Sequence, residues 1–198
     1  VTVTVNQPSV APTSLSASTA TICNGNNTTL TQTGGSLGTG AVWQWYSDAN
    51  FTTTVGGTLS TSDASLSVSP TTTTTYYLRA ISGTAPCAAS VPATTPSTVS
   101  VTVTVNPTSV AGTVSANQSI CANNAPANIT LSGNTGTIQW QVSSDNSVFS
   151  DISGATASPL TALQMGTLTA TRYYRAVVTS GVCSAANSGV VTVTVNPA

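Results

Sequence analysis

Valine and threonine alternate without a break through Val101-Thr102-Val103-Thr104-Val105, and Asn106-Pro107 ends the run. The same pattern recurs at Val191 to Pro197 and, with Gln7 inserted before the proline, at Val1 to Pro8. Period-two alternation makes one face of a strand apolar and the other hydroxylated, and proline cannot continue a ladder. Each copy therefore reads as a closing strand followed by a stiff joint. Between copies the pattern predicts further short strands: Thr28 to Thr33, Ala41 to Tyr46, one around Thr52 to Val55, Ser65 to Ser69, Tyr76 to Ile81 and Thr98 to Val105. Gly, Asn and Pro clusters separate them, and no segment carries a helical period. About seven strands with regular turn signals predict an all-β chain of two tandem β-sandwiches.

The second half repeats the order. Ile120-Cys121 matches Ile22-Cys23, Ile138-Gln139-Trp140 matches Trp43-Gln44-Trp45, and Tyr173-Tyr174-Arg175-Ala176 is laid over Tyr77-Leu78-Arg79-Ala80. The expected division is a terminal strand at residues 1–6, a first domain at 7–106 and a second at 107–198, joined through Asn106 and Pro107. Val1, Val3 and Val5 have no sandwich of their own ahead of them. They are expected either to close a preceding repeat or to be donated to a neighbouring subunit.

Composition then removes function classes. Charged residues are 4% of the 198: four Asp, three Arg, and no Lys, Glu or His. Nothing here neutralises phosphates, so nucleic acid is excluded as a partner. There is no His, Lys, Glu or Gly-x-Ser-x-Gly elbow, and the four Asp fall in predicted turns without a paired partner, so catalysis is hard to build and no catalytic role is expected. No apolar run is long enough for a membrane span, so no membrane insertion is expected. Ser and Thr, about a third of the chain, leave a surface of hydroxyls and amides, while the alternating valines and the aromatics provide a core. No cofactor is expected. Asp145 and Asp151 lack the ligand density of a built Ca²⁺ loop and read as solvated turns. Three Asn-x-Ser/Thr matches, at Asn27, Asn117 and Asn128, are of the kind that so Ser/Thr-rich a chain produces by chance.

The second half, through Thr137-Ile138-Gln139-Trp140-Gln141, Asp151-Ile152-Ser153-Gly154-Ala155-Thr156 and Tyr173 to Cys183, resembles the tandem immunoglobulin-like repeats of giant surface and gliding-type adhesins of Bacteroidota. Phe149 stands where such repeats more often carry Trp. The first half resembles a related subtype through Trp45-Tyr46 and Ser69-Pro70-Thr71 leading into Tyr76-Tyr77. The resemblance implies an exported, cell-surface protein whose units serve as spacers or as binders.

Four cysteines allow three pairings, and repeat logic selects Cys23 with Cys87 and Cys121 with Cys183. Each bond is expected to staple one end of a sandwich in an oxidising compartment. Zinc is disfavoured by the lack of Cys-x-x-Cys pairs and of His. Trp45 and Trp140 are expected in the two cores, with Tyr77 and Tyr173 as further core aromatics. Tyr46, Arg79 and Arg175 form the candidate outer face. Its two readings are an Arg laid over the Tyr and Gln of the neighbouring strand, or a recognition spot for acidic glycans. The expected function is a non-catalytic stalk of a surface adhesin or filament, with neighbouring repeats or subunits of the same protein and surface glycans as partners. A carbohydrate-binding module and an accessory domain of a secreted enzyme are the alternatives.

Overall fold

The computed structural model describes residues 7–60, 64–82 and 99–197. The chain divides after Asn106 into two units, each nearly all β.

Unit 1 holds β1 (Ser14–Ala17), β2 (Thr21–Cys23), β3 (Thr28–Thr33), β4 (Ala41–Tyr46), β5 (Thr54–Leu59), β6 (Leu66–Val68), β7 (Thr74–Ser82) and β8 (Ser100–Asn106). One sheet runs β1-β3-β6 and the other β2-β8-β7-β4-β5. The first edge of the sandwich changes sheets: β1 pairs antiparallel with β3, and after Ser18 to Ala20 β2 pairs parallel with β8. Trp43 and Trp45, on one face of β4, are fully buried and fill the space between the sheets with Leu30, Leu78, Ala80 and Val103. The alternation of the closing strand has its expected use, since Val103 faces the core while Thr102 faces out and meets Thr75 Oγ1 at 2.9 Å.

Unit 2 holds β9 (Thr113–Val114), β10 (Gln118–Cys121), β11 (Leu131–Ser132), β12 (Thr137–Ser143), β13 (Ser150–Asp151), α1 (Ala162–Met165), β14 (Arg172–Thr179), β15 (Ala186–Asn187) and β16 (Val191–Asn196). Its large sheet runs β10-β16-β14-β12-β13 with β15 also on β14, and β9 and β11 make the small one. Here too β10 runs parallel to the closing strand. Gly136 opens β12 at positive φ, and a Cβ there would lie 2.7 Å from the Thr179 backbone, so only glycine lets β12 start flush against β14. The core is Ile129, Leu131, Trp140, Leu160, Tyr174, Val178, Val191 and Val193 with their neighbours.

Two expectations are corrected. A single helical turn, α1, appears where the sequence allows none; it is held by a capping box in which Thr161 accepts from the Gln164 N–H and Gln164 reaches back to the Thr161 N–H. The core tyrosines are Tyr76 and Tyr174, 4% and 1% exposed, rather than Tyr77 and Tyr173, which are half-buried on the opposite face. Strand pairing gives the reason. Tyr76 sits opposite Val101 and Tyr174 opposite Val191, the equivalent valines of the two closing strands.

Candidate partner face and unit ends

The outer face of the large sheet is built by side chains that project away from the tryptophans. In unit 2, Arg175 lies opposite Gln141 across β14 and β12. Its Nε donates to Gln141 Oε1 at 2.9 Å, Gln141 Nε2 donates to Asp151 Oδ1 at 2.8 Å, and the guanidinium sits 4.1 Å above the centre of the Phe149 ring. The result is a half-buried relay of Arg, Gln and Asp laid on an aromatic plate.

In unit 1, Arg79 lies opposite Gln44 and its guanidinium is 4.8 Å from the Phe51 ring centre. Phe51 in turn meets Tyr46 edge-on at 5.1 Å. Gln44 turns its amide away, donating to the backbone oxygens of Trp45 and Val55, and the buried Arg79 Nε has no hydrogen-bond partner among the described residues. Tyr46, expected on an open outer face, is 6% exposed beneath Phe51, so it belongs to the packing and not to the surface. Burial holds its phenol above the ordinary range, with the charge of Arg79 opposing. Phe51 reaches this place from a left-handed backbone, φ 58°, an unfavourable conformation for a bulky residue. Asp48 stabilises the turn by accepting N–H bonds from Asn50, Thr52 and Thr53, which lower its carboxyl pKa, the Thr53 bond most of all.

The two arginines occupy different places in the repeat. Trp45 Nε1 donates to Ala64 O and Trp140 Nε1 to Ala157 O, while Gln44 and Gln139 make the same pair of backbone bonds, so Trp45 is the counterpart of Trp140. Trp45 pairs with Leu78 but Trp140 with Ala176. Arg175 is therefore the positional equivalent of Tyr77, and Arg79 of Val177. The Tyr-x-Arg-Ala alignment is displaced by two residues in three dimensions. Each unit has its own solution to seating one guanidinium on a phenylalanine.

A second polar feature lies at the start of β14. Arg172, Asp145, Val148 and Ser150 line a shallow cavity of about 320 Å³. Asp145 Oδ1 accepts from the N–H groups of Ser147 and Val148 and from Ser143 Oγ, and these bonds hold its pKa down to about 2. Asp151 is engaged by Gln141 instead. Among the described residues no group of three or more His, Cys, Asp or Glu gathers around a common point.

The expected pairing of Cys121 with Cys183 is corrected. Cys23 and Cys183 are disulfide-bonded, and Cys121 is an exposed free thiol. Cys121 cannot reach Cys183 within unit 2. It lies opposite Asn196, beyond the Arg172 end of β14, whereas Cys183 follows Thr179 at the other end. The strand between them is about 25 Å long and a disulfide needs Cα atoms within about 7 Å. Cys183 is 5% exposed, and its Sγ is 3.2 Å from Pro107 O. Cys87, Val1, Val3 and Val5 lie outside the described residues. Asn106 closes β8, its carbonyl taking the Asn24 N–H, and Pro107 begins unit 2.

Residues 9–107 match the family described as Ig-like domain CHU_C associated. The chain belongs to this family. Residues 110–197 match a second family, described as Domain of unknown function (DUF8696). No curated protein matches. Among solved structures the chain is similar to the titin I-band fragment I67-I69, at 13% identity over 95% of this chain and 67% of that one, TM-score 0.56. It is also similar to murine CEACAM1b, at 14% identity over 92% of this chain and 99% of that one, TM-score 0.50. At such identities the likeness carries the Ig-like fold. Nothing in family or fold points to catalysis, and among the described residues no helix is long and apolar enough to cross a membrane.

The sequence signals missed Phe51 and Phe149 as seats for the arginines. The available cue was a lone aromatic in the turn after each tryptophan strand.

Proposed function

We propose that the chain is a non-catalytic structural segment of an exported surface adhesin or extracellular filament, in which Ig-like units in series hold a binding tip away from the cell. The carrying observation is that the charged and aromatic groups on the outer face of unit 2's large sheet are engaged with one another. Arg175, Gln141, Asp151 and Phe149 satisfy one another, and the tryptophan N–H is bonded to backbone. The rest of its surface is mostly hydroxyl and amide, interrupted by Leu163, Val148 and the Cys121 thiol. Ig-like family membership, a disulfide and the resemblance to Bacteroidota surface repeats support an exported, oxidising location.

The test is replacement. In the parent protein on the cell surface, this segment is exchanged for an unrelated Ig pair of similar length. A spacer predicts unchanged attachment at equal surface display, and lost attachment at equal display overturns it. A second reading is favoured by one observation, the planar Arg175 and Phe149 pair beside the hydrogen-bonding edge of Gln141 and Asp151. These are groups suited to an acidic glycan. Reproducible glycan-array binding that disappears in the Arg79→Ala and Arg175→Ala variants would establish it.

A further inference from the structure

Cys121 and Cys23 occupy the same place in their units. Each ends the short strand that runs parallel to the closing strand. Cys23 lies opposite Asn106 and Cys121 opposite Asn196. The next N–H, of Asn24 or Ala122, donates at 2.9 Å to the carbonyl of that asparagine. The same Asn-Pro step leaves both closing strands. In unit 1 this position is disulfide-bonded, and in unit 2 it carries an exposed free thiol. Cys183, at the opposite, leading end of unit 2 beside Pro107, is disulfide-bonded although Cys121 is out of its reach. In unit 2 the two cysteines therefore stand at opposite ends of the large sheet and do not bond to each other. The trailing end of unit 2 is also unlike an ordinary solvated tip. α1 leads into Leu168, whose backbone brackets Asn123 and Asn124 just past Cys121, and on this turn Leu163 is 92% exposed.

We propose that Cys121 is the open half of a covalent link between successive Ig-like units, its partner being a cysteine on the leading end of a following unit, in the position Cys183 holds here. The inference rests on the serial reading above. The oxidant is a disulfide, of a protein or of a small thiol. The Cys121 thiolate attacks it and forms a mixed disulfide, releasing one thiol. The partner thiolate then attacks the Cys121 sulfur, forming the interunit S–S bond and releasing the second thiol. Both cysteine protons are released or passed on, and the oxidant carries away the two electrons.

The experiment appends a second copy of residues 107–197 after Asn196 of the full chain and equilibrates both proteins in a glutathione redox buffer. Ellman's reagent and peptide mapping report the state of Cys121. In the chain as it is, Cys121 is expected to react fully, and Cys121→Ser to remove that signal. In the extended protein, with Cys121→Ser in the appended copy, the thiol signal of the original Cys121 is expected to be lost and a peptide joining it to the appended Cys183 to appear. Cys183→Ser in the appended copy should restore the reactivity of Cys121. Cys121 remaining reactive in the extended protein, a Cys121 to Cys121 dimer, or a bond inside the appended unit would each overturn the proposal. Such failure leaves the stalk reading standing, because segment exchange on the cell surface tests that reading with no reference to thiols.

Discussion

Arg175 is held by two kinds of contact, the face of Phe149 and the side-chain oxygen of Gln141. Arg175→Ala is expected to cost about 1–2 kcal/mol in urea unfolding, from a partly desolvated cation–π pair and a charge-assisted hydrogen bond. Arg175→Lys should recover only a fraction, because an ammonium cannot lie flat on the ring while its side donor meets Gln141. Asp145 carries a different prediction. Its folded carboxyl titrates near 2 against an ordinary 3.8, so its favourable contribution is complete above the ordinary value and disappears as pH falls through 4 towards 2. Urea midpoints measured from pH 5 down to pH 2 should decline through that window, and less so in Asp145→Asn. The effect is small, since the carboxylate is exposed and water competes for its bonds.

At the scale of elements, the register of β14 decides which tyrosine matters. Tyr174→Ala empties a packed site and is expected to cost about 3–5 kcal/mol, while Tyr173→Ala on the outer face should cost about 1 kcal/mol or less. Denaturant midpoints of the two variants check this directly, and equal losses would contradict the register. These strands also mark where the sequence stopped being informative. Alternation around Val103, Val193, Trp45 and Trp140 revealed their inward faces, because a one-residue slip would expose every valine. In Tyr76-Tyr77 and Tyr173-Tyr174 an aromatic lies on each face, so composition could not choose between them. Only the pairing of Tyr76 with Val101 and Tyr174 with Val191 does so. The arginine seats were hidden for another reason. Phe51 and Phe149 enter from turns of unequal length, and a turn has no period to read.

For the whole molecule, the repeat announced two sandwiches, but Cys121 was wrongly paired with Cys183 because spacing along the chain does not say which end of a sandwich a residue occupies. Thr21-Ile22-Cys23 and Gln118 to Cys121 run towards the closing end, and the loop of Cys183 lies at the opening end. Protease sensitivity is a property of this same scale. The basic residues are Arg79, Arg172 and Arg175, all within central strands. Trypsin cleavage is expected to follow the population of unfolded units. Digestion of the native chain should stay slow until denaturant reaches the unfolding transition monitored by tryptophan fluorescence. Early cutting at any of the three would indicate local opening of β7 or β14.

The parallel pairing of β10 with β16 has a mechanical consequence. The chain enters unit 2 at Pro107, shortly before β10, and leaves it after Asn196, at the end of β16. Tension applied between those points drags the two strands past one another along their length. Their hydrogen bonds lie across the direction of pull and bear the load together, where a hairpin pulled from its open end would lose its bonds singly, in sequence. Ile120→Pro removes the N–H of one residue in that patch, which faces Val195. In a force-extension experiment it should lower the rupture force of unit 2 and leave that of unit 1 unchanged. Unit 2 is expected to resist stretching where its closing valine strand lies parallel to β10.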